Sequence, residues 1–330
     1  KGFFIFFLVF LLVPCFLIAQ NAAFNVGKWA KIGLSKQGIY QITGTQLKAL
    51  GFSLPINSNQ LQLFNYNLNQ LSEKVSSTFS TQLTENAIQV FDGGDNQIDE
   101  KDYVLFYTEG AIQWKNNLVA FTHYKNTSSD TVFYFLTIGN NGKRINTKEK
   151  VISAGKIIDQ YDERWLIEMD STSLLNSGKL LLGPAMGQGS GKQTKLTYPI
   201  NLMGVVTNSP LNVVSRYVAT AYQSPAIFNF SINDNAIKSS SVAPVSGYLY
   251  DETANITVDS FSYNINTSTS NTSTVNISFQ ADNASSTGWI DYIELSAKRK
   301  LGFWSTNTIS FRDFANAVKG NIVQYQIQNA

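Results

Sequence analysis

The sequence predicts a mainly β protein of two antiparallel β-rich domains, the second a β-sandwich of jelly-roll type, with few short helices. Three observations lead there. Apolar and polar residues alternate in short runs, the period at which strand side chains change face. In the second half these runs recur about every 10–15 residues with little helical pattern between them, as in a sandwich. And 330 residues, 43% of them hydrophobic, exceed one small core at roughly 100–200 residues per domain.

Residues 1–19 read as a secretory signal peptide. Lys1 precedes an apolar run from Phe3 to Ile18, and Ala19 stands before a polar break. The rival is a transmembrane anchor, which Pro14 and the missing basic cluster after the run disfavour. Lipidation at Cys15 is disfavoured by the bulky Leu12-Val13-Pro14 approach. Cleavage after Ala19 removes Cys15, leaving a mature chain with no disulfide, thiolate or Cys-bound metal.

The first domain spans 20–155. Alternation at 29–34, a Ser35–Gly38 turn and renewed alternation at 39–42 predict a hairpin. Thr43 or Thr45 can cap a short helix through Leu47 and Leu50, stopped by Gly51. Strands follow at 61–66, 87–91, 103–107 and 132–138, and polar 72–84 is a loop or exposed edge.

The second domain spans 156–330. Residues 161–175 form either a short helix or an extended arm. Glycine-rich 183–191 is a flexible connection, since no Gly-Lys-Ser/Thr ending makes it a phosphate cradle. Strands are predicted at 213–221, 227–232, 248–250, 256–263, 275–279 and 289–295, with 264–273 as a hairpin loop. The strand-like 322–327 has no closing element after it, so the chain reads as truncated.

Composition narrows the function. Charged residues are only 15%, and a net charge of +2 without a basic tract excludes nucleic acid as a partner. The Asn-x-Ser/Thr triplets at Asn255, Asn266, Asn271, Asn276 and Asn283 are chance in so Asn- and Ser-rich a chain. His123 is the sole histidine; without a Gly-x-Ser-x-Gly elbow it reads as structural, the rival being a serine hydrolase base. The candidate metal residues are Asp92, Asp95, Asp99 and Asp102, whose oxygens on a Gly-permissive turn suit Ca²⁺. As an EF-hand the loop fits poorly, with Gly94 and Tyr103 at ligand positions, and the alternative is a solvated turn. Lys298-Arg299-Lys300 reads as a solvated strand end, and Trp29, Trp165 and Trp289 as core fillers, not a sugar platform.

A series of motifs goes further: Trp29–Tyr40, Leu83–Ile88, Asp99–Gly110, Tyr134–Gly139, Trp289–Leu295 and Phe311-Arg312, in this order. It resembles the N-terminal, non-catalytic region of the type IX secretion system sortase, the gingipain-like PorU family of Bacteroidetes. Tyr161-Asp162-Glu163 and Leu174–Lys179 also match, although Lys179 and Leu181 stand where the family has Arg and an aromatic. The resemblance implies a cell-surface cysteine endopeptidase of a Gram-negative outer membrane. That enzyme removes C-terminal sorting signals from cargo proteins and attaches the cargo to lipopolysaccharide. Its catalytic Cys and His would lie in a caspase-like peptidase domain C-terminal to this chain, so no catalytic residue is assigned here. The implied partners are that peptidase domain, an outer-membrane β-barrel of the secretion system, and cargo. The alternative is a bacterial surface adhesin or glycan-binding module.

Overall fold

The computed structural model describes residues 24, 26–66, 74, 82–116, 121–146, 155–176, 178–265, 273–304 and 307–329. The signal segment, most of the 72–84 stretch and much of 264–273 lie outside them. The protein is mainly β, with one α-helix among the described residues. None of their helices is long and apolar enough to cross a membrane.

The first core is enclosed by two small antiparallel sheets. One has the order Trp29–Leu34, Val132–Ile138, Leu61–Asn65, Thr84–Asn86; the other has Gly38–Thr43, Tyr103–Thr108, Gln89–Phe91. Strands 29–34 and 38–43 therefore do not form the expected hairpin. The turn between them passes the chain from one sheet to the other, so their apolar faces meet across the core that holds Leu61, Leu63, Phe106 and Leu136. The helix, Gly44–Ala49, starts as its sequence predicts: Thr43 and Gln46 form a reciprocal capping box. Gly51 follows at φ +87°. Gly44 is obligatory, since a Cβ there would lie 1.6 Å from the Asp99 carbonyl oxygen.

The second core is a two-layer antiparallel sandwich. Gln160–Glu168, Thr287–Lys300, Pro210–Thr220 and Asn255–Asn264 make one sheet in that order. Lys195–Ile200, Ser273–Gln280, Ala226–Ile232 and Asn235–Val242 make the other. Counting the eight in chain order, first-eighth-third-sixth faces second-seventh-fourth-fifth, which is the jelly-roll arrangement. Alternate side chains interdigitate between the layers, led by Tyr217 stacked on Phe228 at 4.5 Å between ring centroids.

Several local expectations change. Of the two alternatives for 161–175 the extended one holds over 160–168, a strand paired residue for residue with the Thr287–Lys300 strand. Strands 255–264 and 273–280 belong to opposite sheets, so these two strands do not pair as a hairpin. Met186–Gly187, inside the glycine-rich stretch, pairs with Gly288 and Thr287 and is not a free connection. Residues 248–250 form a turn. The late strand Val323–Tyr325 is paired, in parallel, with Lys156–Ile158.

Candidate functional site

Strand alternation puts Trp165 and Ile167 into the sandwich core and turns Arg164, Leu166 and Glu168 outward. Register places Glu294 opposite Leu166, and Tyr292 opposite both Glu168 and Arg216. Between Arg216 and Tyr217 the register slips. This bulge inserts Asp291 as an extra residue while Ile290 and Ile293 stay in the core. Asp291 accordingly reaches Arg216 on the outer face, with Arg216 Nη1 donating to Asp291 Oδ2 at 2.8 Å.

This charged face is covered by a hairpin of the first unit, Ile112–Asn116 with Phe121–Lys125. His123 is carried into the middle of it. Its Nδ1 is 2.7 Å from Glu294 Oε1, and its Nε2 lies 3.6 Å from Glu168 Oε2. Only 8% of the His123 side chain and 4% of the Glu294 side chain remain exposed. Tyr292 and Trp114 meet the imidazole edge to face, at 4.7 and 5.9 Å. The Arg164 guanidinium lies over Trp114 at 4.6 Å.

Burial sets the electrostatics. It raises the Glu168 carboxyl above its ordinary value, against the opposing pull of His123 and Lys125. It raises Asp291 too, opposed first by Arg216. Burial, reinforced by Arg312, pushes Arg164 down to about 10. For Lys125 burial works against the ammonium, but Asp170 and Glu168 outweigh it and its pKa rises. Glu168 Oε2 has no hydrogen-bond partner. Beside these groups is a cavity of about 540 Å³ between the 124–130 loop and the sandwich.

A histidine oriented by a carboxylate is half of a nucleophilic triad. Where Nε2 should face a hydroxyl it faces Glu168, and no Ser or Thr hydroxyl among the described residues is hydrogen-bonded to the ring. Among the described residues the arrangement ties the hairpin of the first unit to the sandwich.

The remaining candidates are dispersed. Asp92 accepts from Ser58 Oγ and from the Gly94 N–H, bonds that lower its pKa. Asp95 accepts from Gln97 N–H, Asp99 from Lys101 N–H, and Asp102 from Asp99 N–H. Each of these carboxylates serves a turn of its own loop. Among the described residues no three His, Cys, Asp or Glu side chains are grouped to hold a metal ion. Lys298-Arg299-Lys300 is not simply solvated: Arg299 is buried against Glu163 at 2.8 Å and bonds the Met203 carbonyl. Trp289 is buried as expected, whereas Trp29 and Trp165 are half-buried. Phe24 and Phe64 pack on Trp29, and Phe135 on Phe24, all at steep angles instead of forming a flat platform.

Sequence reasoning missed Glu168, Glu294, Trp114 and Tyr292 as partners of His123, and the Arg216–Asp291 pair beside them. The signal was present: in Trp289–Leu295 two carboxylates interrupt an otherwise apolar strand. The partner of Glu294 lies 171 residues upstream and that of Asp291 lies 75.

No family model matches the chain, and no curated protein matches it. Among solved structures it is similar to dimeric latent PorU from Porphyromonas gingivalis, 24% identical, with a TM-score of 0.70. The match covers 92% of this chain and 27% of that one. The chain thus has a PorU-like fold and spans about a quarter of that protein's length. A carbohydrate-binding module of type CBM36, in complex with calcium and xylotriose, is 15% identical over 36% of this chain and 93% of its own, at a TM-score of 0.23. That likeness carries no information about this chain.

Proposed function

We propose that the chain is the leading, non-catalytic region of a type IX secretion sortase. Its task is to present the peptidase domain that follows it at the outer surface of a Gram-negative bacterium. In this reading the two β units dock on that caspase-like domain and on an outer-membrane β-barrel of the secretion system. The whole protein trims C-terminal sorting signals from exported cargo and attaches the cargo to lipopolysaccharide. The observation that carries the reading is the PorU-like fold along 92% of the chain. The ordered motif series from Trp29 to Arg312 supports it independently. Non-catalytic status is supported by the chemistry, since both nitrogens of the sole histidine face carboxylates and the sole cysteine lies in the leader.

The test is to isolate the native gene product from the cell surface and label it with a cysteine-directed peptidase probe. The reading expects a protein several times longer than this chain, labelled beyond residue 330. A surface protein that ends with the jelly roll, or one labelled within it, overturns the reading.

A further inference from the structure

Near one end of the jelly roll, residues 246–252 form a closed turn built by its own polar groups. Asp251 Oδ2 accepts from Ser246 Oγ, and Ser246 Oγ accepts from the Tyr248 N–H at 3.2 Å. The Asp251 N–H donates to the Tyr248 carbonyl at 3.1 Å, and Gly247 supplies the required φ of +78°. The apex therefore holds Tyr248, Leu249 and Tyr250 outward, 79%, 87% and 98% exposed. Three large side chains held in water at one hydrogen-bonded turn mark an interaction surface.

A groove of about 320 Å³ adjoins this turn, with Val218 buried at its floor and Leu174, Leu175, Leu180 and Ile256 along its sides. Its charged lining residues are Asp251 and Glu252, both exposed. Val258, next along the outer face of the same strand, is 57% exposed and extends the apolar strip. The surface is thus apolar at its centre and acidic at its rim.

We infer that this groove and its Tyr248–Tyr250 turn bind a protein segment that presents an aliphatic or aromatic side chain beside lysine or arginine. The apolar side chain supplies the buried anchor, and the rim carboxylates select the cation and steer its approach. The same carboxylates disfavour a lipid bilayer, whose anionic headgroups they would repel. The inference rests on this surface alone and stands apart from the sortase reading.

Fluorescence anisotropy of the full chain with a short labelled peptide alternating leucine and lysine tests it. The expected result is saturable, salt-weakened binding, with no binding of the leucine–glutamate counterpart. Leu249→Ser and Glu252→Lys should each weaken binding at least about tenfold, with melting temperature unchanged because both side chains face solvent. Tyr250→Ser serves should either variant fold poorly. Four outcomes overturn it: equal binding of both peptides, binding indifferent to all three substitutions, flotation with phosphatidylcholine–phosphatidylglycerol vesicles in place of peptide binding, or concentration-dependent self-association lost in Leu249→Ser without peptide binding, which would assign the surface to a second copy.

Discussion

His123 Nδ1 and Glu294 Oε1 meet at 2.7 Å across 171 residues of sequence, and neither side chain is more than 8% exposed. The pair pins the hairpin of the first unit to the jelly roll. Removing one member leaves the other buried without its hydrogen-bond partner, which costs about 1–3 kcal/mol. His123→Ala is therefore expected to destabilise the chain by about 2 kcal/mol and to loosen the 112–125 hairpin first. Urea titration gives the first quantity, and amide exchange at Phe121–Lys125 gives the second.

Glu168 behaves in the opposite sense. Its folded pKa is raised, so the stability linked to its protonation is fully present below the ordinary value of 4.5 and is lost as pH rises through the folded pKa. At neutral pH the buried charge is a net cost. Glu168→Gln should raise the melting temperature at pH 7 and leave it nearly unchanged below pH 4.5, read by thermal scans at both ends.

Thr43→Ala removes one side of the capping box and should cost about 1 kcal/mol. Gly44→Ala, one residue on, should do far more damage, because its Cβ collides with the Asp99 carbonyl. Chemical denaturation of the two variants side by side checks the order.

Calcium at about 1 mM is expected to leave the melting temperature unchanged, since a ligand that binds only the folded state must shift it. The carboxylates of Asp92, Asp95, Asp99 and Asp102 already accept hydrogen bonds from their own loop. An upward shift abolished by Asp95→Asn would restore the metal reading.

What could be read from the sequence was set by local physics. The Thr43 cap and the stop at Gly51 are chemistry within a few residues, and the structure has both. The alternation that predicts Val132–Ile138 fixes a strand and its faces, and it too is there. Pairing is non-local, which is why 29–34 and 38–43 read as a hairpin although their partners are Val132–Ile138 and Tyr103–Thr108. The same limit hid the site. His123 alone gives no sign that Glu168 and Glu294 flank it, because a jelly roll and a register between distant strands bring them there.

The most direct measurement follows a cargo protein bearing its C-terminal sorting signal by intact mass, with the purified 330-residue chain in one vessel and the full-length surface protein in another. The account predicts that the cargo stays whole with the chain and loses its signal with the full-length protein. Cleavage by the chain alone, abolished in His123→Ala, would contradict it.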